Sequence, residues 1–226
     1  MARPEGLEPP AYWFEASRSI RLSYGRVRTH RIIDFGMERE SVETEIKLRV
    51  EGGPQAALEL LGNHGCRARK PRTFQADQLF DLEDNALRDS ERLLRIRLSG
   101  GASILTYKGP PLGGPHKSRE ELETQVEDGN VLRSILSRLG YRPSFRYEKY
   151  RTVFQEPGDN GSGEIGLDET PMGVFLELEG RADWIDQTAQ RLGFSSADYI
   201  TASYGSLYRE YRKLHGGPPD MVFDEQ

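Results

Sequence analysis

Glu43, Glu45 and Lys47 stand two residues apart in the stretch Val42 to Val50, which alternates without a break. Val42, Thr44, Ile46, Leu48 and Val50 fall on one side; Glu43, Glu45, Lys47 and Arg49 fall on the other. That period is the mark of a β-strand with two unlike faces. Two carboxylates and a cation at successive same-side positions form either a solvated face or one wall of a site for an ionic ligand. The same kind of face recurs down the chain, with Arg95 and Arg97; Thr106 and Lys108; Arg119, Glu121, Glu123 and Gln125; Tyr147, Lys149 and Arg151; Glu164, Gly166 and Asp168; and Phe175, Glu177 and Glu179.

The elements that carry these faces read as strands over 42–50, 93–99, 104–108, 119–126, 145–154, 164–168 and 174–179, with a further strand leading to Phe80 on which Gln75 and Asp77 face the same way. Four helical segments intervene. Residues 54–65 open with Pro54 and set Leu58 and Leu61 on one face, and 128–140 run from the N-cap candidate Asp128 to a terminating Gly140. Residues 182–193 carry Trp184, Ile185 and Leu192, and 197–214 carry Ile200, Tyr204, Leu207 and Tyr208. Two architectures fit: a sheet with one wet charged face and one buried apolar face, or a closed barrel with the charged faces inside and helices outside. A charged lumen is costly unless it is hydrated, internally paired or filled by an ionic ligand.

The ordered set resembles the CYTH superfamily, also called triphosphate tunnel metalloenzymes, which includes class IV adenylyl cyclases, thiamine triphosphatases and inorganic triphosphatases. The likeness rests on Glu43-x-Glu45-x-Lys47, Leu-Arg-Ile-Arg at 94–97, Leu-Thr-Tyr-Lys-Gly-Pro at 105–110, Arg-x-Glu-x-Glu at 119–123 and Lys149-x-Arg151. Leu-Asp-Glu at 167–169, Phe-Leu-Glu-Leu-Glu at 175–179 and Ser203-Tyr204 follow in order. The resemblance spans roughly 42 to 214 and implies an α+β fold, an eight-stranded antiparallel tunnel with a charged lumen and helices packed outside. It implies that Lys47, Arg95, Arg97, Lys108, Arg119, Lys149 and Arg151 hold phosphate oxygens. Glu43, Glu45, Glu121, Glu123, Asp168, Glu177 and Glu179 would hold divalent metal, Mg2+ or Mn2+, or position a water, and Glu43, Glu45 and Lys47 would be the catalytic signature. Arg209, Arg212 and Lys213 are the candidates for a basic residue near the last helix.

The implied chemistry suits these residue types. A triphosphate carries several charges on hard oxygens, and arginine offers a fork matched to phosphate. Mg2+ and Mn2+ prefer carboxylate and water oxygens. Attack of water on the terminal phosphorus releases phosphate, whereas attack of a ribose 3′-oxygen on the α-phosphorus gives cyclic AMP and pyrophosphate. The strings at 94–97 and 105–110 look most like the bacterial class IV adenylyl cyclases. The alternative function is a non-catalytic triphosphate- or polyphosphate-binding module.

Composition bounds the partners. The 226 residues suit one domain with tails. Charged residues make up 30% of the chain, mean hydropathy is −0.67, and no apolar run approaches the ~20 residues of a bilayer-spanning helix. The expectation is a cytoplasmic protein off the membrane, with a homodimer left open. A net charge of −5 argues against general nucleic-acid binding. Cys66 is the only cysteine, so no internal disulfide forms, and the four histidines lack metal-ligand spacing.

Residues 1–36 read differently, with six arginines, no lysine and four acids. The strings at 3–10 and 19–26 look like translations of the reverse strand of a transfer-RNA gene. The expectation is a disordered or spurious extension over 1–36, a protein that starts at Met37, a CYTH domain over 37–215, and a disordered tail over 216–226.

Overall fold

A computed structural model of the protein describes residues 42–158 and 161–224; the expected extension at 1–36 lies outside them. Eight strands run in the order β1 (Val42–Val50), β2 (Arg67–Asp81), β3 (Leu93–Ser99), β4 (Ala102–Lys108), β5 (Lys117–Val126), β6 (Arg142–Gln155), β7 (Gly163–Thr170) and β8 (Gly173–Gly180). They close into an antiparallel barrel with the spatial order β1-β5-β4-β3-β2-β6-β7-β8. Closure resolves the choice between a wet sheet and a tunnel, because the alternating charged positions turn inward on every strand.

The helices are α1 (Gly53–Asn63), α2 (Ala86–Asp89), α3 (Gly129–Arg138), α4 (Ala182–Arg191) and α5 (Tyr204–His215). Among the described residues none is long and apolar enough to cross a membrane. The main apolar core lies outside the barrel wall. Ile46, Leu48, Ile165, Leu167, Leu176 and Leu178 point outward there and pack on Ala57 and Leu61 of α1 and Trp184, Ile185 and Ala189 of α4. Gly52 and Gly53 carry the turn into α1 at φ of 85° and 81°, a region glycine enters without steric penalty. Gly163 and Gly180, paired across β7 and β8, lie flat beneath Trp184, and a Cβ on Gly163 would stand 2.3 Å from the indole ring. Asp128 caps α3 by accepting from the Asn130 and Val131 amides, an arrangement worth about 1 kcal/mol.

Two expectations are corrected. The helix expected over 197–214 begins only at Tyr204. Ser196–Asp198 form one 3-10 turn, and the chain then runs extended so that Ile200 exchanges two backbone hydrogen bonds of 2.9 Å with Lys47. β5 pairs with β1 only over Val42–Glu45, so the β1 edge beyond Glu45 needs another partner, and Ile200 supplies it. The segment after α5, expected to be disordered, is fixed through residue 224 for the same reason. β7 pairs with β6 only from Tyr150 onward, and Met221 bonds the β6 edge at Arg146 (3.0 Å) and Glu148 (2.8 Å) with its side chain fully buried.

Candidate active site

The barrel encloses a lumen of about 680 Å3. Lining it are Glu43, Glu45 and Lys47 of β1, Arg95 and Arg97 of β3, Lys108 of β4, Arg119, Glu121 and Glu123 of β5, Lys149 and Arg151 of β6, and Glu177 and Glu179 of β8. Side chains expected from the sequence to act together thus meet in one space. Asp168 is the exception. It is fully buried behind the lining, and its carboxylate accepts from Lys149 Nζ (2.9 Å), Arg151 Nε and Nη2 (both 2.6 Å) and the Tyr204 hydroxyl (2.6 Å). With both oxygens taken, Asp168 orients the two β6 cations instead of offering a free ligand site. Arg209, Arg212 and Lys213 do not reach the lumen; they bond within α5 or to the backbone just beyond it.

Register decides the local pairings. Glu45 lies opposite Lys117 on β5 and Glu179 on β8. Its Oε1 accepts from Lys117 at 2.6 Å and from Lys47 at 3.0 Å. Burial pushes the Glu45 carboxyl up, but the lysines outweigh it and hold it well below the usual range. Lys47 also lies 3.3 Å from Glu177, whose other oxygen accepts from Arg151 at 2.5 Å. Across the lumen, Asp77 accepts from Arg97 Nε at 2.8 Å and stands 3.3 Å from Arg95 Nε. Lys108 bonds Glu43 and lies 3.1 Å from Glu121.

α5 closes part of this space. Ser203 accepts from the Ser206 amide and starts the helix, which carries the Tyr204 ring beneath two ammonium groups, Lys47 at 5.2 Å and Lys149 at 5.1 Å from its centroid. Lys117 escaped the sequence reading, whereas Thr106 and Tyr147 fall on the charged faces and Tyr204 in the family's ordered strings with no role given to their hydroxyls. Lys117 continues the alternation of Arg119, Glu121 and Glu123 by one step, a signal the glycine- and proline-rich stretch before it obscures. The roles of these hydroxyls left no signal, since a threonine or tyrosine in a strand, or a tyrosine in the first turn of a helix, is ordinary.

Two lumen charges stand apart from this web. Arg119 is buried with its Nε unsatisfied, and among the described residues it makes no ion pair. Glu179 has no hydrogen bond or ion pair among the described residues, and burial with the nearby Glu43 and Glu177 carboxylates pushes it up to about 8. Glu43 rises to about 7 through burial, partly offset by Lys108 and reinforced by Glu45. Among the described residues no three Asp, Glu, His or Cys side chains form a ready metal cage. The donor chemistry nonetheless fits a hard divalent cation, because Glu43 and Glu179 are carboxylates crowded by other acids, Glu179 without an ion pair among the described residues, and added cation charge relieves that crowding.

The CYTH domain model matches residues 41–204. The chain belongs to the CYTH family. A relative, the "Putative adenylate cyclase" of Methanocaldococcus jannaschii, is 33% identical over 138 residues, 61% of this chain and 76% of the relative. A Vibrio parahaemolyticus structure carrying a similar cyclase name superposes with a TM-score of 0.65 at 21% identity, covering 76% of this chain and 99% of that one. A Hippeastrum structure described as a "Putative adenylyl cyclase" that reveals a dominant triphosphatase activity gives a TM-score of 0.53 at 16% identity, covering 75% of this chain and 95% of that one. At these identities the structural matches establish a shared fold, and the barrel described above is that CYTH tunnel.

Proposed function

We propose that this CYTH protein is a divalent-metal-dependent enzyme that hydrolyses a triphosphate held in the lumen. The observation that carries this reading is the pair of unmatched charges, Arg119 and Glu179. A barrel whose charges served only one another would leave neither a buried guanidinium without an anion nor a half-buried carboxylate without a cation beside it. A metal–triphosphate complex supplies both.

In this reading Arg119, Arg95, Arg97, Lys108, Lys149 and Arg151 bind phosphate oxygens, and Lys47 joins them from beneath. Glu43, Glu45 and Glu179 hold Mg2+ or Mn2+, with Glu121, Glu123 and Glu177 oriented toward the same space. The bound cation supplies charge neutralisation on the phosphate oxygens and a more acidic water. The chain itself mainly positions the substrate: fixed guanidinium and ammonium groups stabilise the charge that spreads over the transferred phosphoryl oxygens, with little covalent work for the protein. Water adds to the terminal phosphorus as its bond to the bridging oxygen breaks, giving phosphate and a diphosphate.

A second reading is cyclisation of ATP, in which the ribose 3′-oxygen displaces pyrophosphate from the α-phosphorus. Ile104 and Val153 favour it, since they add apolar side chains to the lumen lining on the inward faces of β4 and β6, and relatives bear cyclase names. The purified chain should be incubated with inorganic triphosphate, thiamine triphosphate and ATP, each with Mg2+ and with Mn2+, and the products separated by chromatography. Phosphate release supports hydrolysis, and cyclic AMP with pyrophosphate establishes the second reading. Tight binding without turnover leaves a binding module.

A further inference from the structure

α3 buries Leu136 against Phe80 and Ile96, with Leu132 packed at the margin. Beside that buried edge the helix carries a second apolar stripe. Val131, Ile135 and Leu139 recur at i, i+4 and i+8 and are 55%, 49% and 66% exposed. Leu98 of β3, 44% exposed, adjoins the start of the helix at Gly129. Nine large apolar side chains are exposed among the described residues, and four of them gather here. Scattered exposed leucines need no explanation, whereas a contiguous patch on one helix and its neighbouring strand does.

The charges around the stripe indicate what covers it. Glu127 stands just before Asp128, whose carboxylate is taken up in capping the helix, and Arg138 stands in its last turn; Glu127 and Arg138 are exposed, and neither makes an ion pair or side-chain hydrogen bond among the described residues. The acid and the base therefore bracket the stripe at opposite ends. Two copies of this helix meeting antiparallel across a two-fold axis lay stripe on stripe, and each copy's Glu127 comes to the partner's Arg138. A two-fold contact must be self-complementary in just this sense. Ser134, on the flank between those charges, is small enough to let the helices approach.

We propose that α3 and Leu98 form the face on which a second copy of this chain docks, with the two α3 helices antiparallel. The inference is independent of the reaction assigned to the lumen. It is tested by sedimentation equilibrium of the full chain from micromolar to sub-millimolar concentration. The expected result is a dimer that I135D/L139D weakens by about tenfold or more, because those side chains centre the buried patch. R138E should weaken it several-fold by setting like charges together, and E127R/R138E should restore it, since reversing both signs preserves complementarity. A monomer at every concentration overturns the proposal, whatever else then covers the stripe. So does a dimer indifferent to R138E, even if the aspartate variant fails to fold.

Discussion

Arg119 and Glu43 are direct register partners on β5 and β1, yet they do not pair with each other. Glu43 gives its carboxylate to Lys108, and the Arg119 guanidinium stays buried with no ion pair among the described residues. The wall between β1, β5 and β4 thus leaves one cation over, and it points into the lumen.

Arg119→Met should separate binding from stability. Loss of a charge-assisted contact of about 1.5–3 kcal/mol would weaken triphosphate binding by roughly 10- to 150-fold. The melting temperature should hold or rise, because an unpaired buried charge has been removed. Titration calorimetry with inorganic triphosphate and a thermal melt measure the two quantities; a lower melting temperature with unchanged affinity would make Arg119 structural.

Replacing Glu43 and Glu45 together with glutamine should abolish metal-dependent turnover while circular dichroism remains that of the barrel. Glutamine keeps the shape of each side chain and removes the charge a divalent cation needs. A double variant that retained its rate would remove both residues from the metal site.

Gly166→Ala probes the reach of Arg151. The guanidinium lies across Gly166, and a Cβ there would stand 3.1 Å from Arg151 Cζ and Nε. The added methyl should push Arg151 off Asp168 and Glu177 and raise KM severalfold, with Gly166→Ser behaving at least as severely. Unchanged kinetics together with an unchanged melting temperature would show that the strand simply yields.

The pH dependence of metal-free stability has a definite sign. Glu43 at about 7 and Glu179 at about 8 lie above the ordinary carboxylate value of 4.5, so the folded protein holds more protons than the unfolded chain between those limits. Their contribution to stability is therefore lost as pH rises from about 5 to 8. Above that, Lys117 and Lys149, each depressed to about 8 by burial and a neighbouring cation, release protons the unfolded chain keeps, and the slope reverses. Melting temperatures should fall from pH 5 to 8 and rise again above pH 8, and Mg2+ should raise the value at pH 8 more than at pH 6. A metal-free profile rising from pH 5 to 8 would contradict the burial of Glu43 and Glu179.

Most of the lumen was legible in the chain because strand geometry is local. A period of two tells which side chains of one strand share a face, which grouped Glu43, Glu45 and Lys47, Arg95 and Arg97, and Lys149 and Arg151, while the resemblance to the CYTH superfamily implied that these faces meet in one lumen. The outward apolar face and the helices able to cover it were legible for the same reason, as was the Asp128 cap of α3. Which charges neutralise one another was not legible, since that depends on which strands become neighbours and in what register. Closure brings Lys117 and Glu179 to the two sides of Glu45, retires Asp168 behind Lys149, Arg151 and Tyr204, and leaves Arg119 and Glu179 unmatched. It also leaves two short lengths of strand edge bare, at Lys47 and around Tyr147, and unpaired backbone groups there draw in Ile200 and Met221, segments whose own sequence reads as helix and tail. The alternation of charge belongs to the sequence by itself; the balance of charge exists only once the barrel is closed, because pairing is a property of distance in space and not of spacing along the chain.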